Sequence, residues 1–220
     1  MVFGLIHNPN VLSGSYFWTY SSLWVLLMVT KHRRAFKFTK TNVIMFILAY
    51  IMADVISAIV HIYLDHSTIT NDGSVLDAQR RGFRYHHPLD HVAKKLLDPT
   101  FEPYYEMNYV YPYALFIIII ANFVNLTLRN FMVYLATMIC LFQATHLYAH
   151  ASILLEDPNY IDKAHVPWCI SLLQKYHIIL PPNHHKLHHE HKKHGINFAI
   201  FHGLTDPLIN FIYTSFLKGY

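Results

Sequence analysis

Hydrophobic residues gather into four long stretches of the chain, separated by polar segments. They lie at about residues 16–30, 43–64, 110–128 and 131–149. The stretch at 43–64 is long enough for a helix that crosses a bilayer, whereas the stretch at 16–30 is short for a span and rich in aromatic residues. The pattern predicts an all-α membrane protein, a bundle of about four transmembrane helices.

The order of the stretches predicts which polar segments share a side of the membrane. We expect Leu128–Asn130 to form a tight turn, so that the third and fourth stretches make an antiparallel helical hairpin. The polar segments 66–109 and 151–220 then lie on one side, and the amphipathic part at 168–180 lies at the interface rather than spanning. Every histidine except His7 and His32 falls on or just inside that face.

Composition supports a membrane location and excludes one class of partner. Charged residues make up 14% of the 220-residue chain, whereas a soluble domain carries about a quarter. The net charge of +4 comes without a basic stripe or motif for nucleic acid, so no nucleic-acid partner is expected. The length suits a single domain over 1–220. The basic loop 31–40 favours the cytosol, but the histidine side also carries many basic residues, so charge leaves the orientation open.

The histidines on the shared face occur in pairs that suit metal binding. One histidine near a helix end is most often a structural residue, but repeated pairs change that balance. Most of the pairs are spaced i,i+4, which puts both side chains on one helix face. One pair is adjacent in sequence. The candidate ligands are His61 with Asp65, His86 with His87, His146 with His150, His184 with His188, and His185 with His189.

Nine imidazoles exceed the three or four ligands that one metal ion needs, so the sequence predicts a di-metal site at one membrane face. Ligand type alone does not identify the metal. A site at the interface can meet a lipid chain, whose unactivated C–H bonds require an oxidant made from O2. Zinc cannot supply that oxidant, so iron is favoured.

Several other residues have open roles. Asp54 lies two turns before His61, and is either a ligand, a carboxylate that orients a ligand, or a structural residue bonded to a neighbouring helix. His165 and His202 are expected to be structural, His191 to be solvated, and His177 remains open.

Five blocks of this sequence resemble the Kua family, the lipid desaturase domain of plasmanylethanolamine desaturase. They are MADVISAIVHIYLD (52–65), GFRYHH (82–87), THLYAH (145–150), LLQKYHIILPPNHHKLHH (172–189) and HGINFAIFHGLTDPL (194–208). The resemblance covers about 50–213 and extends distantly to a plastid enzyme that desaturates the palmitoyl chain of phosphatidylglycerol.

The resemblance implies a set of ligands and a chemistry. It gives nine metal-binding histidines and matches further positions at Asp65, Asp54, His177 and His194. It implies two Fe ions, O2 as co-substrate, a cytochrome b5-type electron donor and the cytosolic face of the endoplasmic reticulum. The loop PLDHVAKKLLDPTFEPYYEMN departs from the family pattern, which leaves the exact lipid open.

The sequence therefore favours an O2-dependent membrane lipid desaturase. The expected substrate is the alkyl ether chain of a plasmanyl phospholipid, which would become the vinyl ether of a plasmalogen. An acyl-chain desaturase or a fatty acid hydroxylase of the same metal type are alternatives. A non-enzymatic metal transporter or metal-binding protein is the alternative from another class. Nothing in the sequence indicates the oligomeric state.

Overall fold

The computed structural model describes residues 14–88, 90, 91, 93, 106–159, 161, 166–191 and 195–217. These residues form eight α-helices and no strand, which confirms the predicted all-helical class. The helices are α1 (Gly14–Lys31), α2 (Lys40–His66), α3 (Val75–Tyr85), α4 (Glu106–Ala121), α5 (Leu126–Leu154), α6 (Trp168–Lys175), α7 (Pro182–Glu190) and α8 (Asp206–Ile212), which continues as a π-helical turn (Tyr213–Leu217).

Helices α2 and α5 form the central scaffold. With 27 and 29 residues, both are long and apolar enough to cross a membrane. The apolar parts of α1 and α4, at Ser22–Lys31 and Val110–Ala121, are shorter. Polar N-caps begin both long helices, because the side chain of Thr39 accepts a hydrogen bond from the Asn42 amide and that of Asn125 from the Leu128 amide.

The two scaffold helices run parallel, so their C-terminal ends lie on the same side. Near their N-termini, the Asn130 side chain donates to the Asn42 side-chain oxygen at 2.8 Å, and the Tyr134 hydroxyl bonds the Ala35 carbonyl. At 1.5 Å per residue, His61 and His146 each lie about 30 Å along the axis from these starts. The predicted placement of both histidines at one end of the bundle is confirmed.

The predicted turn at Leu128–Asn130 is wrong. Helix α4 ends at Ala121, the turn occupies residues 122–125, and α5 has already begun at Leu126. Arg129 is a charged residue inside α5, and it is tolerated because its side chain finds acceptors at the end of α4. It reaches back and donates to the carbonyls of Ala121 at 3.0 Å and Asn122 at 3.3 Å, which caps the C-terminal end of α4.

Shorter elements surround the C-terminal ends of α2 and α5. Helix α6 forms within the stretch predicted to be amphipathic, and α7 covers the histidine-rich segment. Helix α3 was not predicted. It begins at the N-cap Ser74, and Arg84 near its end donates to the Asp65 carbonyl at 2.9 Å, which fixes α3 against α2. The extent of the single domain, 1–220, stays a prediction.

Candidate metal centre

Two groups of buried side chains lie side by side where α2, α3, α5 and α7 meet. In each group, one donor atom per residue lies within 4.8 Å of all the others. We call them the His86 group, made of His86, His146, His150 and His185, and the Asp65 group, made of His61, Asp65, His87 and His188. Rings of the two groups approach closely, with centroids 6.0 Å apart for His61 and His146. Eight of the ten predicted ligands therefore form the two groups, and a ninth, His189, lies against the His86 group.

Helical spacing explains how each element contributes. The i,i+4 pairs place His61 and Asp65 together on α2, and His146 and His150 together on α5. The adjacent His86 and His87 follow the end of α3, where the chain leaves the helix, and they enter different groups. Helix α7 serves both groups, because His185 joins one and His188 the other.

The His86 group is a tight assembly of imidazole nitrogens. The Nε2 atom of His185 lies 3.0 Å from that of His146 and 2.8 Å from that of His150. His189 joins them, with its Nε2 atom 3.1 Å from both His150 and His185. Two ligands at right angles around one ion, each at about 2.1 Å, would be about 3 Å apart, so these spacings fit a bound metal.

The Asp65 group brings three imidazoles onto one carboxylate. The Nε2 atoms of His61 and His188 lie 3.2 and 3.3 Å from Oδ2 of Asp65, and that of His87 lies 3.3 Å from Oδ1. The other ring nitrogens of two of them are bonded to backbone: His61 Nδ1 donates to the Phe198 carbonyl at 2.7 Å and His188 Nδ1 to the Ile196 carbonyl at 2.8 Å.

These backbone bonds decide which nitrogen carries the proton. A carbonyl oxygen can only accept, so Nδ1 must be the donor and, in the neutral ring, Nε2 presents a lone pair. In the Asp65 group two such lone pairs face a buried carboxylate, an arrangement that is repulsive without a cation between them. The donor set therefore fits a metal cation, which would bind the imidazole nitrogens and the carboxylate together.

On α7, His185 of the His86 group and the adjoining His189 are held in the neutral form that binds metals. Burial, reinforced by the neighbouring His146, holds the pKa of His185 well below its ordinary value. Burial also lowers the pKa of His189 to about 3, against a raising effect from its hydrogen bond to the His87 carbonyl at 2.7 Å. A metal ion at this group would not have to displace protons at neutral pH.

His184, the tenth predicted ligand, lies outside both groups. Its Nε2 atom donates to Asp206 Oδ2 at 2.6 Å. Gly203 packs directly on its ring: a Cβ atom added to Gly203, whose φ is +77°, would come within 2.7 Å of the His184 ring. The assignment of His184 as a ligand stays a prediction, but in the structure its ring is hydrogen-bonded to Asp206.

Asp54 binds backbone and not an imidazole of either group. Its buried carboxylate accepts from the amides of His202, Gly203 and Thr205, at 2.8, 3.0 and 3.1 Å, and from the Thr205 hydroxyl at 2.7 Å. Of the open roles for Asp54, the structural one fits this geometry. The buried His202 also contacts Asp54, at 3.2 Å, in keeping with a structural role.

The remaining predicted positions lie apart or cannot be placed. His177 is exposed, with a φ of 54°, in the turn after α6. The Nδ1 atom of His191 accepts from the Gly195 amide at 3.1 Å. His194 and His165 lie outside the described residues, as does most of the loop that departs from the family pattern.

The groups that orient the ligands were not predicted from the sequence. The carbonyls of Ile196 and Phe198 have no residue-type signature, because every residue carries one. Asp206 could have been noticed, since it is an acidic residue in the last family-like block, GLTDPL. An acidic residue close to many histidines is the kind of partner that holds an imidazole ring in place.

A cavity of about 420 Å³ opens beside the two groups, a size typical of ligand sites. Its walls are almost entirely apolar, with contributions from α2, α3, α4 and α5. His61 of the Asp65 group and His146 of the His86 group both line it, together with Phe83, whose ring lies 5.1 Å from that of His61. An apolar molecule in this cavity would contact both groups at once.

The chain matches a known protein family. A family model described as the lipid desaturase domain matches residues 50–215, most of the chain and every residue of both groups. The comparisons with curated proteins and with solved structures found no match.

Proposed function

Because the chain belongs to the lipid desaturase domain family, we propose that it is a membrane lipid desaturase with two Fe ions and O2 as co-substrate. The observation that carries the proposal is the pair of adjacent buried donor groups that share one apolar cavity. Four imidazoles, or three with a carboxylate, suit one ion each. The cavity offers a dry place for a lipid chain against both groups.

The proposed reaction converts –CH2–CH2– to –CH=CH–. It consumes one O2, two electrons and two protons, and releases two H2O, so the electrons must come from an external donor. Iron bound at the two groups would supply the chemistry that activates O2. A cytochrome b5-type donor is the proposed source of electrons.

The chain's own residues orient the histidine rings, exclude water from the cavity and align the lipid chain. The backbone carbonyls of Phe198 and Ile196 fix the rings of His61 and His188 so that Nε2 faces Asp65. Phe83 and the aliphatic walls exclude water from the cavity. A chain held in this cavity presents a limited number of carbons to His61 and His146, which would restrict the reaction to one C–C bond.

We further propose that the substrate is a plasmanyl phospholipid, which becomes a plasmalogen. This proposal rests on the family-like blocks, and an acyl-chain desaturase or a hydroxylase of the same metal type remains the alternative. The proposed topology has four spans, formed by α1, α2, α4 and α5, in the endoplasmic reticulum, with the metal groups on the cytosolic face.

The test is lipid analysis of cells that lack their own desaturases of this type and express this chain. We expect vinyl ether phospholipids to appear, two hydrogens lighter than their precursors. The variants His146→Ala and His185→Ala should each lower product at least a hundredfold, since each removes a buried donor of the His86 group. His177→Ala, an exposed histidine outside both groups, is the matched control and should retain activity.

Iron content and product mass separate the alternatives. Purified protein should hold about two Fe per chain, and the two variants should hold less. Products heavier by one oxygen would indicate a hydroxylase, and new acyl double bonds without vinyl ethers would indicate an acyl-chain enzyme. Protein without redox-active iron, or full activity in both variants, would sink the proposal.

The geometry of Asp54 argues against the metal-transporter alternative. A transporter places ionisable residues along a path through the membrane. Asp54 is the ionisable residue within α2 that lies nearest its middle, and its carboxylate is fully occupied by three backbone amides and the Thr205 hydroxyl. Cellular metal uptake that depends on the protein, with unchanged lipids, would support the transporter instead.

A further inference from the structure

Arg80 on α3 is a buried cation without a carboxylate partner among the described residues. The residue is 9% exposed, and its Nε atom makes no hydrogen bond in the part of the chain that the structure describes. The next residue shows the ordinary arrangement: the Arg81 side chain is 46% exposed and pairs with Asp77. Arginines are rarely buried unless an anion or acceptors satisfy them, so Arg80 calls for a partner.

The contacts of Arg80 place its guanidinium against Tyr63, a residue that lines the apolar cavity. Its Nη2 atom donates to the Tyr63 hydroxyl at 2.6 Å, and its guanidinium carbon lies 5.3 Å from the centre of the Tyr63 ring. Tyr63 lines the cavity, and so does Gln79, the residue before Arg80. The Tyr63 hydroxyl accepts from Arg80 and keeps its own hydrogen to donate. Two donors of this kind beside an otherwise apolar cavity suit an anion.

The cavity has a polar end and an apolar end. On α2, Tyr63 and His61 lie toward the histidine side of the helix, while Ile56 lies more than one turn deeper. On α5, His146 lies at the histidine side and Ile139 two turns deeper. A lipid chain would therefore extend along the aliphatic walls, with its head group at Tyr63 and Gln79 and its first carbons beside His61.

We propose that Arg80, with Tyr63, binds the phosphate of a glycerophospholipid substrate. The inference rests on the proposed function, since it names the head group that the same cavity takes. Arginine matches phosphate well, because its planar guanidinium presents paired donors to two oxygens. Arg80 is a positioning and specificity residue, not a catalytic one. By anchoring the head close to His61, it directs reaction to carbons near the glycerol and not to the middle of a chain.

The test compares two substrates that differ only in the phosphate head. One is 1-O-hexadecyl-2-acyl-glycerophosphoethanolamine, and the other is the corresponding 1-O-hexadecyl-2-acyl-glycerol. Full-length protein in a phosphate-free maltoside detergent, with a cytochrome b5 reducing system, is assayed as wild type, Arg80→Gln, Arg80→Lys and Arg81→Gln. Arg81→Gln is the matched control, because it removes one positive charge from the same helix at an exposed position.

The expected result is a KM effect confined to the phospholipid. Arg80→Gln should raise KM for the phospholipid at least tenfold and change kcat less than threefold, Arg80→Lys should restore part of the affinity, and Arg81→Gln should resemble wild type. The phosphate-free lipid should show the same KM with every variant. A KM for Arg80→Gln within twofold of wild type, or equal losses on both lipids, would overturn the proposal.

Wild-type activity and the metal content of Arg80→Gln distinguish a failed phosphate anchor from a failed function and from misfolding. If wild type desaturates neither lipid, the proposed function fails, whereas normal wild-type activity with an unaffected Arg80→Gln rejects only the phosphate anchor. If Arg80→Gln loses metal, which indicates misfolding, Tyr63→Phe carries the test, since it keeps the ring. We then expect KM for the phospholipid alone to rise about threefold, and an unchanged KM rejects the anchor.

Discussion

At the scale of single residues, His184 and His185 show how neighbours in sequence acquire different roles. Both belong to i,i+4 histidine pairs on α7, and both were predicted to bind metal. Successive residues of an α-helix point about 100° apart around its axis, so only one of these two side chains can face α5. His185 packs against His146 and His150, while His184 faces Asp206 and Gly203.

This difference predicts opposite effects of two adjacent substitutions. We expect His185→Asn to lose metal from the His86 group, because it removes the imidazole at the centre of that group. His184→Asn should keep its full metal content and lose about 1.5–3 kcal/mol of stability, the usual value of a hydrogen bond to a charged acceptor. Metal content per chain, measured on purified protein together with thermal unfolding, distinguishes the two.

Equal metal loss in both variants would contradict the assignment of His184 to Asp206. Asp206→Asn serves as the reciprocal variant. It should resemble His184→Asn, since the same hydrogen bond is weakened from its other end.

At the scale of elements, the segment 195–205 determines how α2 and α7 present their histidines. It has no regular secondary structure, yet its carbonyls hold His61 and His188. Other contacts fix its path: the Ile200 amide donates to the Ser57 hydroxyl at 3.1 Å, and the Thr145 hydroxyl donates to the Ile200 carbonyl at 2.6 Å. Asp54 binds the far end of the segment. The segment thereby links α2 and α5 to the metal groups.

Asp54→Ala should loosen this segment and weaken the metal site at a distance. It leaves the buried amides of His202 and Gly203 and the half-buried amide of Thr205 without their acceptor, and each buried unsatisfied group costs about 1–3 kcal/mol. We expect stability to fall by at least about 3 kcal/mol, and metal affinity to fall with it. Ser57→Ala, which leaves only the buried Ile200 amide without its acceptor, should cost about 1–3 kcal/mol.

Thermal unfolding and a metal titration of both variants provide the measurement. A metal affinity that is normal in Asp54→Ala would show that the segment does not position His61 and His188. Asp54→Asn keeps one carbonyl oxygen and should lie between the two alanine variants.

At the scale of the whole molecule, the metal groups link helices that come from distant parts of the chain. The His86 group joins α3, α5 and α7, and the Asp65 group joins α2, α3 and α7. A ligand that binds only the folded state adds to its stability. Bound metal should therefore stabilise the packing of the short helices against the two scaffold helices, in addition to any role in catalysis.

Metal removal should lower the melting temperature of the protein. At a free metal concentration a thousandfold above Kd, binding contributes about 4 kcal/mol for one site, which a chelator removes. Acid should act in the same direction. The pKa of His189 is about 3 in the folded chain and 6.5 in the unfolded one, so the unfolded chain binds more protons and stability falls as pH decreases from about 6.5 to about 3.

Unfolding of loaded and chelated protein between pH 7.5 and 5, followed by intrinsic fluorescence, checks both effects. Iron returned to the chelated protein should restore the melting temperature. An unchanged melting temperature after complete chelation would show that the two groups do not stabilise the fold.

The sequence by itself determined the helical class, the pairing of histidines and the end of the bundle where they meet. Each of these depends on local periodicity: apolar runs give the long helices, and i,i+4 spacing puts two ligands on one face. The hairpin turn was misplaced by a few residues, because the sequence does not show that Arg129 folds back over the end of α4.

Only the tertiary structure decided how the ligands divide into two groups and what orients them. The division of His86 from His87, and of His185 from His188, depends on the angle at which α3 and α7 cross α2 and α5. The backbone carbonyls at Ile196 and Phe198, the binding of Asp54 to the segment 195–205, and the burial of Arg80 beside the cavity all join residues distant in sequence. Such contacts arise from packing, which local periodicity does not encode.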